Sequence, residues 1–296
     1  MIRVSKIGHV ALFTPELERQ VEHYAGLVGL ATVARDGDAV FLACPGDHHS
    51  VVLRRGEAAG CAALGLQVPR GTELRDVARQ LSGHGLAAEH RSDTGPDLPA
   101  LVAFDSPDGQ RIEIYEEREA SGASPAGGTI APLKLGHAAF RVVDPARSVA
   151  FFTEVLGFRV SDWMGDFFAF LRCGPDHHTV NLLRSPAPRL HHLAMELRDW
   201  AHVKEACDML GKRRVPLIWG PGRHTVGHNI YTYHLDPDGQ ILELYTELDQ
   251  MSDEAAGHWD PRPWHHETPL RPRRWEMDPF LSNAWGIPTP QGFRDA

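Results

Sequence analysis

The sequence has few cysteines, no long apolar run and no excess of positive charge, and each absence excludes a class of protein. Its four cysteines (Cys44, Cys61, Cys173 and Cys207) form no Cys-x-x-Cys pair, so a structural zinc site of that type is excluded and reduced thiols are expected. No apolar stretch reaches the roughly 18 residues of a membrane span. The formal charge of −9 disfavours nucleic acid as a partner. Because the segment after Met1 also lacks a signal-peptide pattern, we expect a cytoplasmic protein without membrane or nucleic-acid partners.

The sequence does contain an internal repeat over most of its 296 residues. The string SPDGQRIEIY, which ends at Tyr115, returns as DPDGQILELY, which ends at Tyr245. Glu113 and Glu243 occupy the same place in these strings. Near the start of each copy, IGHVALF likewise matches LGHAAF. The chain has been duplicated, so its two copies can be compared position by position.

Each copy carries signals for helices and hairpins in the same order. A capping side chain followed by proline predicts a helix start at Thr14–Glu16 and at Asp144–Ala146, and Gly29 or Gly157 predicts its end. Gly-Asp or Gly-Pro-Asp between two apolar runs predicts one hairpin, and Pro-Asp-Gly predicts a second hairpin at the end of each copy. A further helix is predicted in each copy, over residues 72–84 and 199–210.

We therefore predict an α+β fold built from tandem βαβββ modules, two in each half, that form two open barrel-like domains. The predicted N-terminal domain spans residues 1–119, and residues 120–130 form a linker rich in Ser, Gly, Ala and Pro. The C-terminal domain spans 131–250. The tail, residues 251–296, is expected to be irregular chain that wraps over the second half, with its tryptophans as anchors or as part of a pocket. His265–Glu267 in this tail lacks metalloprotease spacing and is expected in solvated chain or a subunit contact.

Three side chains in the second half are candidate metal ligands: His137, His192 and Glu243. Each has apolar neighbours in a predicted strand, so inward-facing positions of a curved sheet would direct all three to one cavity. A buried carboxylate needs a cation beside it. Two imidazoles and one carboxylate leave part of a metal open and suit Fe(II) oxygen chemistry, and Mn(II) accepts the same set. The alternative for each residue taken alone is a satisfied side chain of the core.

The first half provides an internal control for this set. His9 and Glu113 stand where the outer two ligands stand in the second half. Residues 61–65 read CAALG around the expected middle ligand and include no histidine. We therefore predict that the N-terminal domain is metal-free and that His9 and Glu113 pair with other polar groups.

Through these residues and the strings around them, the chain resembles the type I extradiol ring-cleavage dioxygenases of the vicinal oxygen chelate superfamily over about residues 1–250. The most specific part is GHNIYTYHLDPDGQILE, residues 227–243, which is similar to the family signature that ends in the ligand glutamate. RLHHL, residues 189–193, resembles the strand of the second ligand. The resemblance implies that the second histidine of that pair binds the metal, which favours His192 over His191.

The resemblance also implies roles for residues around the metal. His178 matches a histidine that handles protons and bound oxygen in a strand before the second ligand. His177 is its rival, because strand alternation permits only one of the two to point inward. His224 and Tyr233 match the residues that hydrogen-bond the substrate hydroxyl groups. His228 lies inside the signature but has no role that we can derive.

The chain departs from some relatives at two places near these residues. Ala139 stands where some relatives have asparagine, and Val226-Gly227 stands where some have Asn-Asp. These departures affect the identity of the substrate more than metal binding. Substituents on the substrate ring are expected to contact a small aromatic and aliphatic set, namely Trp163, Phe167, Ile218 and Trp219.

The function that the resemblance implies is Fe(II)-dependent cleavage of a catechol ring next to the diol with O2, by a homo-oligomeric enzyme of aromatic compound catabolism. One alternative is a glyoxalase-like isomerase, an epimerase or a fosfomycin-type transferase, which would use its metal as a Lewis acid. A second alternative is a non-catalytic ligand-binding protein of the bleomycin-resistance kind, which needs no ligand triad.

Overall fold

A computed structural model of the chain describes residues 1–92, 94–96, 98–253, 258–259 and 272–295. These residues form an eight-stranded sheet from the first half and a nine-stranded sheet that comprises the second half and one strand of the tail. This is the predicted α+β architecture of βαβββ modules. None of the helices in the described parts of the chain is long and apolar enough to cross a membrane.

The first half contains two βαβββ modules in one sheet. Its elements are β1 (Lys6–Thr14), α1 (Leu17–Val21) continued by a π-helix (Glu22–Val28), β2 (Ala31–Asp36), β3 (Ala39–Ala43), β4 (Val51–Arg55), β5 (Gly60–Val68), α2 (Leu74–Gly83), β6 (Glu89–Arg91), β7 (Leu101–Asp105) and β8 (Arg111–Glu116). The strand order is β2-β3-β4-β1-β5-β8-β7-β6. The first strands of the two modules, β1 and β5, therefore pair antiparallel in the middle of the sheet.

The second half repeats this arrangement. Its elements are β9 (Lys134–Val142), α3 (Pro145–Glu154), β10 (Arg159–Met164), β11 (Phe168–Arg172), β12 (Val180–Arg184), β13 (Arg189–Glu196), α4 (Trp200–Lys212), β14 (Leu217–Arg223), β15 (Ile230–Leu235) and β16 (Ile241–Thr246). The order is β14-β15-β16-β13-β9-β12-β11-β10-β19, where β19 (Arg273–Trp275) belongs to the tail. All four predicted hairpins are present, since β3 pairs with β4, β7 with β8, β11 with β12 and β15 with β16.

The described parts of the tail are more regular than the sequence predicts. It forms β17 (Met251–Asp253) and β18 (His258–Trp259), which pair with each other, and β19 (Arg273–Trp275), which pairs parallel with β10. A short tail segment lacks a period of its own, but an edge strand offers it backbone hydrogen bonds and so makes it a strand. The His265–Glu267 string lies outside the described residues.

The helix-start prediction is confirmed in the second half and wrong in the first. Asp144 accepts hydrogen bonds from the backbone N–H groups of Ala146 and Arg147, with Pro145 in the first turn of α3. In the first half the Thr14 hydroxyl accepts from the N–H of Glu16, but α1 begins only at Leu17 and has no side-chain cap. Thr14 is the last residue of β1, so it serves the turn between strand and helix.

The two halves pack through matching contacts. The Tyr24 hydroxyl, on the first helix of the first half, donates to Asp236 Oδ2 at 3.1 Å, in the Pro-Asp-Gly turn of the second half. Ser148 of α3 makes the corresponding contact with Asp108, in the Pro-Asp-Gly turn of the first half. One continuous apolar core includes residues of both sheets.

Candidate metal centre

The three candidate ligands lie on adjacent central strands of the second sheet. His137 is on β9, His192 on β13 and Glu243 on β16, and all three are buried. Ala194 of β13 pairs with His137 on β9, the strand on one side, and with Glu243 on β16, the strand on the other side. His192 is two residues from Ala194 and therefore on the same face of β13. The register of three strands thus brings the three side chains together.

The ligand atoms are spaced as they would be around one metal ion. Glu243 Oε2 lies 3.1 Å from His137 Nε2 and 3.2 Å from His192 Nε2, and the two Nε2 atoms are 3.3 Å apart. Ligand atoms about 2.1 Å from an ion and about 90° apart would lie about 3.0 Å from one another. A search of the described residues for His, Cys, Asp and Glu side chains close enough together to hold a metal ion finds these same three residues. The residues present fit a divalent cation.

The electrostatics of Glu243 agree with that geometry. Burial alone would raise its pKa, but the charges and hydrogen bonds of His137 and His192 hold the pKa well below its ordinary value. Asn229 Nδ2 donates to Glu243 Oε1 at 2.9 Å, while Oε2 faces the histidines. The carboxylate is therefore ionised and held from its far side, with one oxygen available to a metal.

The hydrogen bonds of His191 set the tautomer of His192. His191 Nε2 donates to the backbone oxygen of Phe293 at 2.8 Å, and burial lowers the pKa of His191 to about 3. A neutral imidazole that donates from one nitrogen accepts at the other. His191 Nδ1 therefore accepts from His192 Nδ1, 2.7 Å away. His192 is thereby protonated at Nδ1, and its Nε2, which faces Glu243, is the nitrogen that a metal ion would take.

His178 lies beside the ligands, while His177 points away from them. The rings of His178 and His137 pack edge-on with centroids 4.3 Å apart, and His178 lines the cavity next to the ligands. His177 Nε2 instead lies 3.2 Å from Asp162 Oδ2. The prediction that these histidines lie in a strand is wrong, because β12 begins only at Val180. They occupy the loop before it, so loop geometry rather than strand alternation separates their directions.

His224 and Tyr233 form a hydrogen-bonded pair in the cavity wall next to Glu243, with His224 Nε2 4.0 Å from Glu243 Oε1. His224 Nδ1 donates to the backbone oxygen of Ser282 at 2.7 Å, and burial lowers the pKa of His224 to about 4. Neutral His224 therefore accepts at Nε2, where the Tyr233 hydroxyl donates at 2.9 Å. Tyr231 stacks on His224 with ring centroids 3.8 Å apart and holds its plane. Burial and the charge of Glu243 raise the pKa of Tyr233 well above its ordinary value, so the phenol keeps its proton.

The cavity in front of the ligands is mostly apolar. Phe167 and Trp219 line it, as predicted from the sequence, whereas Trp163 and Ile218 are not among its lining residues. Most of the remaining wall is not predicted from the sequence, and it includes Met164, Phe168, Phe170, Leu281, Phe293 and Arg294. The last three of these belong to the tail, and no periodic signal in the tail could have assigned them to this cavity.

The two departures from relatives have structural counterparts. Ala139 and Val226 both line the cavity. Gly227 has φ +79°, and a Cβ at this position would lie 3.2 Å from His177 Nδ1 and 3.3 Å from His178 Cε1. Glycine here leaves room for the histidine pair. His228, which also has positive φ, directs Nδ1 to Asp249 Oδ2, so it fixes the loop rather than facing the ligands.

The first half keeps part of the same arrangement. His9 Nε2 lies 3.2 Å from Glu113 Oε2, and His49 Nε2 lies 2.9 Å from His9 Nδ1. Gly65 pairs with both His9 and Glu113, as Ala194 pairs with His137 and Glu243. The residue at the place of His192 is therefore Ala63, two positions before Gly65. An alanine supplies no ligand atom there.

Comparisons with known proteins agree with this architecture. The family model of the Glyoxalase/Bleomycin resistance protein/Dioxygenase superfamily matches residues 134–244. The 3-methylcatechol 2,3-dioxygenase of a Pseudomonas putida strain is 31% identical over 64% of this chain and 72% of its own length. The manganese-dependent 2,3-dihydroxybiphenyl 1,2-dioxygenase of Geobacillus genomosp. 3 is 28% identical over 89% of this chain and 91% of its own. The Mn(II)-bound glyoxalase from Novosphingobium aromaticivorans superposes with a TM-score of 0.85 at 28% identity, over 98% of this chain and 93% of its own.

Paired βαβββ modules with two histidines and one glutamate at the centre of one sheet define a class of metal-dependent enzymes. The chain belongs to the Glyoxalase/Bleomycin resistance protein/Dioxygenase superfamily and, within it, to the extradiol dioxygenases.

Proposed function

We propose that this protein opens the ring of a catecholic substrate next to its two hydroxyl groups and incorporates both atoms of O2. His137, His192 and Glu243 would hold one divalent metal ion, Fe(II) or Mn(II). The observation that carries the proposal is the spacing of 3.1 to 3.3 Å among the three ligand atoms. When bound, such a metal supplies open coordination positions at which two oxygens of a substrate and O2 can meet.

The protein's own residues would bind the substrate and handle its protons. The proposed substrate site is the cavity that the ligands and the His224–Tyr233 pair both line, where the phenol and the imidazole of the pair can hydrogen-bond a hydroxyl group. His178 lies beside the ligands and would accept a proton from the substrate. Burial and the neighbouring imidazoles lower the pKa of His178 well below its ordinary value, which keeps the ring neutral at pH 7. The apolar wall would exclude water around the substrate ring.

The two halves would then have different tasks. We propose that residues 131–250 form the catalytic domain and residues 1–119 a metal-free domain, with 120–130 as linker. Support comes from Ala63, which stands at the position of His192 in the first half. A cytoplasmic location and a homo-oligomeric state stay predictions from the sequence.

The direct test combines metal analysis with ring cleavage. The protein is purified without oxygen, loaded with Fe(II) or Mn(II), and mixed with a panel of catechols in air while O2 uptake and the yellow ring-opened product are followed. His137→Ala should lose both the metal and the product. His9→Ala changes the counterpart residue in the first half and should keep one metal per chain and ring cleavage.

A second function, that of a glyoxalase-type isomerase, is favoured by the structural similarity to the glyoxalase from Novosphingobium aromaticivorans. The same experiment separates the two functions. An isomerase would bind metal at His137 but consume no O2 with any catechol. Equal loss of metal in His9→Ala and His137→Ala would contradict the assignment of the site to the second half.

A further inference from the structure

Asp162 is a buried carboxylate near the cavity to which the proposed reaction assigns no task. It lies just after a β-bulge in β10 and is 4% exposed. Its Oδ1 accepts a hydrogen bond from the backbone N–H of Arg273 at 2.7 Å. Its Oδ2 lies 2.8 Å from Trp275 Nε1 and 3.2 Å from His177 Nε2. Strand β19 of the tail thus supplies two of the three donors.

These contacts indicate which nitrogen of His177 donates. A backbone N–H and an indole N–H can only donate, so both oxygens of Asp162 accept hydrogen bonds. His177 must then donate from Nε2. A neutral imidazole that donates from Nε2 accepts at Nδ1. The atom that faces His177 Nδ1 is His178 Nδ1, 3.0 Å away, and it must therefore carry a proton.

The first half contains the histidine pair without the carboxylate. His48 Nδ1 and His49 Nδ1 lie 2.8 Å apart, as the corresponding atoms of His177 and His178 do at 3.0 Å. Ala34 pairs with Phe41 after a bulge in β2, just as Asp162 pairs with Phe170 after the bulge in β10. Ala34 therefore stands at the place of Asp162. The carboxylate is present only in the half with the complete ligand set.

We propose that Asp162 and His177 are positioning residues that fix the tautomer of His178, with its proton on Nδ1 and the lone pair of Nε2 toward the cavity. The use of this tautomer rests on the proposed ring cleavage, in which Nε2 takes one proton from a substrate hydroxyl group. The resulting imidazolium still donates from Nδ1 to His177, and the charge of Asp162 stabilises it through His177. The tautomer itself requires no metal.

The first experiment reads the tautomer directly in metal-free protein. Long-range 15N–1H correlation spectra of 15N-histidine-labelled protein distinguish a protonated ring nitrogen from a bare one, and His178→Gln identifies the signals of His178. We expect a protonated Nδ1 and a bare Nε2 in the wild type. A proton on Nε2 of His178 would overturn the proposal without the need for any variant at Asp162.

The second experiment reverses the chain of hydrogen bonds. In Asp162→Asn the side-chain amide can donate to His177 Nε2, which would make His177 donate from Nδ1 and would move the proton of His178 to Nε2. Because the Trp275 indole competes for the same side of the amide, the substitution is made alone and in Trp275→Phe. Trp275→Phe alone is the matched control, since it removes one donor to Asp162 and leaves the histidine pair unchanged.

We expect Asp162→Asn in the Trp275→Phe background to show the reversed tautomers and to lower kcat by about 10- to 100-fold, with KM for the catechol close to the value of the control. An unchanged tautomer, or an equal loss of kcat in Trp275→Phe alone, would overturn the proposal. If wild-type protein cleaves no catechol, the proposed function fails, while the spectra of the metal-free protein still decide the tautomer. The same wild-type spectra decide it if Asp162→Asn does not fold.

Discussion

At the scale of single residues, two pairs of adjacent histidines in the second half share the same hydrogen-bonding arrangement. In His191–His192 and in His177–His178 the two Nδ1 atoms face each other, at 2.7 and 3.0 Å. One histidine of each pair donates from Nε2 to an oxygen. His191 donates to the backbone oxygen of Phe293, and His177 donates to Asp162. The other member of each pair, His192 or His178, then presents Nε2 to the cavity. In each pair one histidine therefore positions its neighbour.

Asn229 provides a residue-scale prediction about the metal. It is fully buried, and its Nδ2 is 2.9 Å from Glu243 Oε1. Asn229→Ala should weaken metal binding about 10- to 100-fold, because an outer hydrogen bond orients the ligand carboxylate. Competition with a chelator, followed by metal analysis, measures this affinity. Asn229→Asp should weaken it as well, since a second carboxylate would repel Glu243. An unchanged affinity in Asn229→Ala would show that Asn229 does not orient the ligand.

At the scale of elements, the tail completes the cavity that the second sheet begins. The backbone oxygens of Ser282 and Phe293 accept hydrogen bonds from His224 and His191. The Phe293 ring packs against Trp219 and Tyr233, with centroids 5.0 and 4.9 Å apart. The tail thus serves the site in two ways, by fixing histidine tautomers and by forming an apolar wall.

Phe293→Ala separates these two roles of the tail. The substitution keeps the backbone oxygen that anchors His191 but removes the ring from the cavity wall. We expect metal affinity to stay at the wild-type value and KM for the catechol to rise about tenfold, which corresponds to about 1.4 kcal/mol of lost contact. Steady-state kinetics and metal analysis measure the two effects. A chain that ends before Asp278 lacks both the ring and the oxygen, so it should lose metal affinity as well. If Phe293→Ala lost metal affinity equally, the backbone oxygen would not be what supports His192.

At the scale of the whole molecule, the two halves meet at a pair of buried imidazoles. His23, on the first helix of the first half, lies beside His234 of β15 with ring centroids 5.3 Å apart. Within the described residues, neither ring nitrogen of His234 has a hydrogen-bond partner, and Nε2 of His23 has none either. Burial lowers the pKa of His23 to about 4, and burial followed by the nearby His23 lowers that of His234 to about 3. Both rings are therefore held neutral in the folded protein.

This pair predicts a loss of stability in acid. The folded-state pKa values lie below the ordinary value of 6.5, so the unfolded chain binds more protons as the pH falls below 6.5. The free energy of unfolding should decrease by about 1.4 kcal/mol per pH unit for each histidine, from pH 6.5 down to the folded-state values. Urea denaturation across this range in wild type and His234→Leu measures the contribution of His234, which should disappear in the variant. His84→Gln, an exposed control, should retain the wild-type slope. Equal slopes in wild type and His234→Leu would contradict the prediction.

Much of the fold and of the site could be predicted because the duplication makes the two halves comparable. The glycines, Pro-Asp-Gly turns and apolar runs fix helix ends and hairpins locally, and the repeat identifies His137 and Glu243 by position. The sequence predicts the start of α1 wrongly, since Thr14 and Asp144 precede proline in the same way but only Asp144 caps a helix. The family resemblance predicts a strand for the histidines at 177 and 178, whereas the structure puts them in the loop before β12.

The α+β class, the duplicated modules and the candidate ligand residues can be predicted from local patterns, because hydrophobic periodicity and turn chemistry act over a few neighbouring residues. The nitrogen that each histidine presents depends instead on how the chain folds. That choice depends on acceptors far away in the chain: Phe293 for His191, Ser282 for His224 and the Asp162 carboxylate for His177. The contribution of the tail to the cavity was likewise decided by packing, since a short segment without a period becomes ordered only against an existing edge and cavity.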